Sequence, residues 1–193
     1  MMYLLRKMAV CILLLASTHT WAAVVIKGAR FNDSYQLGNQ TLSLNGAGIR
    51  VKLIVDVYAA GLYVPHKEHN ANGLVNQPGP KSMQIVLLRD LTGEDFADAM
   101  VKGFRHNNTE ADVARFHDKI DEIRSMMASF GSVRKGTTIR IDFVPGTGVQ
   151  VLMDGVIKGA QPVSEEFFSA VLRIWLGSSP VDSDLKDALL GPK

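Results

Sequence analysis

The chain has 193 residues, of which 47% are hydrophobic, and it carries 21 basic residues against 19 acidic ones. Basic and acidic residues are interleaved, which argues against a nucleic-acid-binding protein, since such proteins concentrate basic residues on one surface. The only cysteine, Cys11, excludes an intrachain disulfide and a thiolate metal site.

The N-terminus has the pattern of a secretory signal peptide. Arg6 and Lys7 precede the apolar run Met8–Ala16, and small residues follow at Thr20 and Ala22. This order predicts cleavage after Ala22, or one residue further on, and therefore a periplasmic protein. The apolar run is too short to span a bilayer, so we expect no membrane span after cleavage.

Residues 23–193 are then expected to form a single domain. Their length suffices for a sizeable hydrophobic core. Cleavage removes Arg6 and Lys7 and no acid, so 21 basic residues become 19, against 19 acidic ones. The mature chain is therefore close to neutral, and we expect a monomer or a weak dimer.

The first half of the predicted domain is strand-like. Val, Ile, Leu, Tyr and Thr are frequent in four segments that are separated by residues typical of turns. The predicted strands are Ala23–Phe31, Gln36–Leu44, the long run Ile49–Val64, and Lys81–Arg89. In this region Gly46, Gly48 and Gly61 indicate bends or close approaches to the backbone.

The long run contains an alternating pattern. Every odd position from Ile49 to Ala59 is apolar, whereas Arg50, Lys52, Asp56 and Tyr58 occupy even positions. A strand with one apolar face and a few polar groups on the other is suited to line a binding cavity. The alternative is a half-exposed strand whose charges are solvated.

Two amphipathic helices follow. Thr92 is a predicted N-cap, with a buried face formed by Phe96, Ala99, Met100, Gly103 and Phe104. Thr109 is the N-cap of the next, predicted as one continuous helix. Its apolar stripe is formed by Val113, Phe116, Ile120, Ile123, Met127 and Phe130.

The remainder returns to strands and ends in helices. Strands are predicted at Thr137–Val144, Val149–Met153 and Val156–Lys158, the last two joined by an Asp-Gly hairpin turn. Ser164 caps a helix that ends at Gly177, and a last helix runs over Ser183–Leu190. This order predicts an α+β fold in which a largely antiparallel sheet packs on helices.

Motifs for catalysis or metal binding are weak. His66 and His69 have the H-x-x-H spacing of a metal pair, but they lie in a polar loop without a third ligand nearby. The chain has no G-x-S-x-G motif, and its remaining serines fit helix caps and turns. We expect no metal and no cofactor.

Three sequence blocks together resemble one family. They are GAGIR…VYAAGLYV, RDLTGEDFADAM and PVSEEFFSAVLRIWLGSSPVDSDLKDALLG. They resemble the chalcone isomerase-like family, specifically its bacterial exported members, over nearly the whole mature chain. The resemblance implies an open-faced β-sandwich: a large antiparallel sheet with helices on one face and a ligand cleft between them.

This family contains enzymes that cyclise chalcones and non-catalytic relatives that bind fatty acids. Family membership alone therefore does not predict the function, and the residues of the site have to distinguish the two. Arg50 matches the arginine that polarises the substrate oxygen in the enzymes, a role suited to a guanidinium. By the same resemblance four positions depart from the enzymes. Tyr58 replaces a threonine, Phe96 a tyrosine, Gly103 an asparagine, and Ile174 a serine or threonine.

Arginine with tyrosine resembles the pair that holds the carboxylate in the fatty-acid-binding relatives. However, Arg50 and Tyr58 are eight residues apart, about 26 Å along an unbroken strand. They meet only if the chain reverses between them. The resemblance implies a hairpin in this interval, shortened here to around Arg50–Lys52. The sequence therefore does not establish that Tyr58 reaches the head group, and the arginine is the firmer assignment.

The sequence therefore predicts non-catalytic binding of a small hydrophobic carboxylate or lipid. Arg50 is the predicted anion anchor and Tyr58 a second polar contact, while Phe96, Met100 and Ile174 line the cavity. One alternative is an isomerase or intramolecular lyase that acts on a chalcone-like unsaturated carbonyl compound, with Arg50 as its catalytic residue. Another is an envelope structural or partner-binding protein, which an exposed Trp175 would favour.

Overall fold

A computed structural model describes residues 23–192, so the predicted signal peptide lies outside the described residues. Eleven strands lie within these residues. They are β1 (Ala23–Ile26), β2 (Ala29–Asn32), β3 (Ser34–Leu37), β4 (Gln40–Lys52), β5 (Val55–Val64), β6 (Lys81–Leu87), β7 (Leu91–Thr92), β8 (Ser132–Val133), β9 (Thr138–Val144), β10 (Gly148–Met153) and β11 (Val156–Gln161).

The helices lie between β5 and β8 and after β11. They are α1 (Ala71–Asn76), α2 (Gly93–Asn107), α3 (Glu110–Arg115), α4 (His117–Ala128), α5 (Glu165–Leu176) and α6 (Ser183–Leu190). Within residues 23–192, none of the helices has the length and apolar character needed to cross a membrane.

Seven of the strands form one antiparallel sheet in the order β11-β10-β9-β6-β5-β4-β3. The helices cover one face of this sheet, where strand residues such as Leu62 and Ile85 pack with Phe104 and Phe168 in the main hydrophobic cluster. The β1–β2 hairpin covers part of the other face through Phe31, which packs with Leu42 and Tyr63 in a second cluster. The predicted α+β architecture is therefore confirmed.

Three segments predicted as single strands each contain a chain reversal. The first two reverse at Lys27–Gly28 and at Gly38, where the backbone φ angles are positive as glycine favours. The third reverses at Leu53–Ile54, between β4 and β5. The residue pattern did not indicate that turn, because two aliphatic residues stand where glycine or asparagine is usual, and the resemblance had placed it around Arg50–Lys52.

The predicted helix after Thr109 is also divided. Phe116 leaves the helical conformation, with φ −102° and ψ 10°, and separates α3 from α4. The break retains the apolar stripe, because Phe116 stays buried against Phe104 and Phe167. The predicted N-caps Thr92, Thr109 and Ser164 are confirmed, and each side chain accepts a backbone N–H bond.

Glycines in β4 and β5 permit close packing, as their positions predicted. A Cβ on Gly46 would lie 2.1 Å from the carbonyl oxygen of Ala188, and one on Gly48 would lie 2.5 Å from the Ala188 side chain. Helix α6 therefore lies directly on the backbone of β4. On the opposite face, Phe31 packs directly on Gly61.

Candidate ligand-binding site

The β4–β5 hairpin brings Arg50 and Tyr58 together. Because the chain turns at Leu53–Ile54, Arg50 and Tyr58 are directly opposed in the sheet. The guanidinium carbon of Arg50 lies 5.5 Å from the centre of the Tyr58 ring. The reversal expected around Arg50–Lys52 thus lies slightly further along the chain, and the two side chains share one site.

A β-bulge beside this pair changes the alternation expected for the strand. Arg50 pairs with Tyr58 and Val51 with Asp56, which leaves Val57 as the extra residue in β5. A bulge re-orients neighbouring side chains, and both Val57 and Tyr58 are buried on the helix-covered face. The odd-numbered residues before the bulge, Val51 and Val55, are exposed rather than buried as the alternation predicted.

All five residues predicted to form the site line one cavity of about 270 Å³ between the sheet and the helices. Arg50 and Tyr58 come from the hairpin, Phe96 and Met100 from α2, and Ile174 from α5. The other wall residues are almost all apolar. They include Val57, Ile123, Met127, Ile139, Ile141, Val149, Val151 and Val171.

Tyr58 is a buried, neutral hydrogen-bonding group in this wall. Its side chain is 3% exposed, and its hydroxyl oxygen accepts a 2.9 Å hydrogen bond from Nε1 of Trp175. Burial raises the pKa of Tyr58, although nearby Arg50 and the Trp175 bond oppose the shift. Since the hydroxyl accepts the Trp175 bond, its own proton is available for a ligand oxygen.

Arg50 has few polar partners. Its Nε is buried and has no hydrogen-bond partner in the described part of the chain. None of the carboxylates within residues 23–192 lies within 4.0 Å of its guanidinium. The nearby Asp182 instead caps α6 and accepts a 2.8 Å bond from the backbone nitrogen of Val51. This end of the cavity is therefore cationic.

The cavity opens beside the end of the hairpin. Its exposed wall residues are Lys52, Arg89 and Asp95. The Asp95 carboxylate is already used, because it accepts bonds from the backbone nitrogen and the hydroxyl of Thr92 in a capping box. The mouth thus has two basic side chains and one acid engaged in capping a helix.

Gly103 and Ile174, two of the positions at which the resemblance implied a departure from the enzymes, are in direct contact. A Cβ on Gly103 would lie 2.8 Å from Cγ2 of Ile174, so the small residue makes room for the large one. Ile174 is buried between α2 and the cavity. These two apolar positions are therefore matched to each other by packing.

The sequence did not indicate that Trp175 belongs to the site. The side chain is buried rather than exposed, and it lines the cavity beside Tyr58. Its neighbour Ile174 lines the same cavity, although consecutive helical residues point in different directions. Nearly all of α5 is buried, so its apolar pattern does not indicate which of its residues face the cavity.

Comparisons with known proteins agree with the fold. The model of the chalcone isomerase-like family matches residues 23–191, and the chain belongs to this family. None of the curated proteins matches the chain significantly in sequence. Among solved structures, the chain is similar to the Arabidopsis thaliana fatty-acid binding protein AtFAP1. The sequence identity is 17% and the TM-score 0.68, with 88% of this chain and 96% of that chain covered. The predicted chalcone isomerase-type sandwich is confirmed.

Proposed function

We propose that this protein binds a small hydrophobic carboxylate in the cavity and catalyses no reaction on it. The observation that carries the proposal is the buried Arg50 Nε, which has no partner within residues 23–192 and lies at an otherwise apolar cavity. A guanidinium beside apolar walls is costly unless an anion pairs with it. The fatty-acid binding of AtFAP1, whose structure is similar, supports the same class of ligand.

In this proposal the head group of the ligand lies between Arg50 and Tyr58. A carboxylate accepts a charge-assisted bond from the guanidinium and a second bond from the Tyr58 hydroxyl proton. The alkyl chain then contacts Phe96, Met100 and Ile174. The cavity of about 270 Å³ opens at its mouth beside Lys52 and Arg89, so it suits a medium-chain fatty acid such as decanoic acid.

The main alternative, an isomerase, has less support from the wall chemistry. A proton-accepting side chain near Arg50 would have to be a carboxylate, an imidazole, an ionised tyrosine or a neutral lysine, and the lining lysine, Lys52, is exposed at the mouth. The only carboxylate among the lining residues is Asp95 at the mouth, where it caps α2. Burial raises the pKa of Tyr58, which keeps its hydroxyl protonated. A substrate would therefore have to supply its own ionised nucleophile.

The binding proposal is tested with decanoic acid and its uncharged analogue decanol. Calorimetric titration should show that Arg50→Ala weakens decanoate binding by about 30- to 100-fold, because a bond to a charged group is lost. Decanol should bind wild type and Arg50→Ala with similar affinity. Arg89→Ala, which removes a cation at the mouth, is the matched control and should change decanoate affinity by only a few fold.

Equal decanoate affinity for wild type and Arg50→Ala would disprove the assignment of the anchor. Turnover of a chalcone by wild type, abolished in Arg50→Ala, would instead establish the isomerase alternative.

We further propose that the protein acts in the periplasm. The support is the predicted signal peptide, with its basic residues Arg6 and Lys7 before an apolar run. Expression of the full chain followed by mass measurement of a periplasmic extract should detect a product that begins at Ala23 or Val24. Recovery of the intact chain in the cytoplasmic fraction would contradict this location.

A further inference from the structure

Exposed aliphatic side chains are concentrated on two hairpins. Of the eight large hydrophobic residues that are exposed within residues 23–192, six lie there. Val51, Leu53, Ile54 and Val55 belong to the β4–β5 hairpin, and Val156 and Ile157 begin β11 after the β10–β11 turn. Leu53 is 93% and Ile54 95% exposed, so neither contributes to the core.

Both hairpin turns lie at the same end of the sheet as the cavity mouth. The β4–β5 turn follows Lys52, and the antiparallel register connects this end through Tyr58, Leu87 and Ile139 to Met153, beside the β10–β11 turn. The inner strands of the hairpins, β5 and β10, are three strand spacings apart, about 14 Å. The mouth residues Lys52 and Arg89 are at this end as well.

The turn residue Leu53 is not explained by folding. Its φ angle is 60°, a backbone conformation that glycine, asparagine and aspartate adopt more readily than leucine. Its side chain contributes almost nothing to packing, because it projects into solvent. An exposed aliphatic residue in a backbone position that disfavours it indicates a binding role for the side chain.

Basic residues surround the two tips. Lys52, Arg89, Lys135 and Lys158 have no carboxylate within 4.0 Å among the described residues. The acids of this end are engaged. Asp56 pairs with Lys27, Asp95 caps α2, and Asp90 and Asp154 accept backbone bonds from Lys135 and Thr138. Asp182 likewise caps α6 and accepts a bond from the Val51 backbone nitrogen. The acids are thus held by protein groups, whereas within residues 23–192 the four cations are free to contact anionic groups.

We propose that this end of the protein docks on an anionic lipid bilayer, with Leu53, Ile54, Val156 and Ile157 inserted between headgroups. Aliphatic tips flanked by lysine and arginine are the combination that interfacial membrane binding uses. Docking in this orientation turns the cavity mouth toward the bilayer, so a hydrophobic ligand passes between membrane and cavity without crossing water. The ligand transfer rests on the proposed function, whereas docking itself does not.

Docking is tested by sedimentation of the mature protein with vesicles of phosphatidylcholine alone or with phosphatidylglycerol. We expect binding to the anionic vesicles, weakened by salt. The variant Leu53→Gly/Ile54→Ser should bind them at least about tenfold more weakly. It should remain folded, because Gly-Ser suits a two-residue hairpin turn. It should also bind decanol as wild type does, which separates docking from cavity binding.

Two charge-reversal variants test how much electrostatic attraction contributes to docking on anionic vesicles. Lys158→Glu at the docking end should weaken binding to anionic vesicles several-fold. Lys67→Glu, an exposed lysine that follows the opposite end of β5, should leave it unchanged.

The proposal is overturned if wild type fails to bind anionic vesicles, or if Leu53→Gly/Ile54→Ser binds them as tightly as wild type. A dimer of wild type that this variant dissociates would also overturn it, because the tips would then contact a second copy. Failure of decanoate binding with intact docking would reject the proposed function alone.

Discussion

Arg50 and Arg140 lie on opposite faces of the same sheet, and each guanidinium lies near a tyrosine ring, yet their environments differ. The Nη1 and Nη2 atoms of Arg140 donate to Ser82 Oγ at 3.0 Å and to Gln84 Oε1 at 2.7 Å. Its guanidinium carbon stacks 3.7 Å from the centre of the Tyr35 ring. Arg50 has a buried Nε without a partner and a ring 5.5 Å away.

The difference separates a structural arginine from a candidate ligand anchor. The strand beside Arg140 presents Ser82 and Gln84 toward it, so the protein itself satisfies the guanidinium. The strand beside Arg50 presents Val57 and Tyr58, and the cavity behind them is apolar. A half-buried cation that its own fold leaves with few partners is stabilised by an anion from outside.

The largest expected effect is on stability and concerns the two arginines directly. Arg140→Ala should lower the free energy of unfolding by about 3 kcal/mol, because buried Ser82 and Gln84 each lose a charge-assisted bond and Gln84 Oε1 keeps only its 3.3 Å bond from the Tyr63 hydroxyl. Arg50→Ala should change it by less than about 0.5 kcal/mol, since few protein contacts are lost. Urea denaturation of both variants in the absence of ligand measures the contrast. If Arg50→Ala lowered the free energy of unfolding by a similar amount, Arg50 would have a structural role, and the two arginines would not differ in function.

Two matched tyrosine variants compare the Arg140 face of the sheet with the cavity face, with a smaller expected effect on stability. Tyr35 donates a 2.8 Å bond to Asp142, and Tyr58 accepts one from Trp175. Tyr35→Phe and Tyr58→Phe should each lower the free energy of unfolding by about 2 kcal/mol, because each leaves a buried group unpaired.

Only Tyr58→Phe should also weaken decanoate binding, by several fold, since its hydroxyl lies at the cavity. Calorimetric titration of the two variants provides the measurement. If Tyr35→Phe reduced the affinity as much, the two faces would not be functionally separate.

Much of the fold was predictable because local signals carry it. Thr92, Thr109 and Ser164 begin helices through side-chain caps that any single sequence displays. The Asp154-Gly155 turn was predictable for the same reason, and its positive φ angles fit the type I′ preference. The turn at Leu53–Ile54 was not, because its residues favour strands and its geometry is imposed by the pairing of β4 with β5.

The site was predictable only in part. The resemblance indicated Arg50 and Tyr58, but whether they meet depends on the hairpin register and on the bulge at Val57, which are tertiary properties. The Arg140 network was not predicted at all. Its members come from β3, β6 and β9, and no spacing along the chain relates Tyr35 to Asp142. Long-range polar networks are therefore visible only once the sheet order is known.

The smallest expected effect is a pH dependence that distinguishes the polar face from the cavity face. Burial raises the pKa of Asp142, while its bonds from Ser82 and Tyr35 and the charge of Arg140 oppose the shift. A carboxyl group whose pKa is higher in the folded state favours folding while it is protonated. Its contribution to stability should therefore fall as the pH rises above the ordinary aspartate value of about 4, and then level off once the folded group has ionised.

The variant Asp142→Asn removes this titration and keeps an acceptor for Tyr35. Burial and Asp142 raise the pKa of Tyr35 to about 12, so its hydroxyl stays protonated throughout the range tested. In urea denaturation between pH 4 and 8, wild type should lose stability relative to Asp142→Asn as the pH rises. Decanoate affinity should change equally with pH in both proteins, because Asp142 lies on the face away from the cavity. Parallel stability curves would show that the Arg140 network compensates the burial of Asp142 in full.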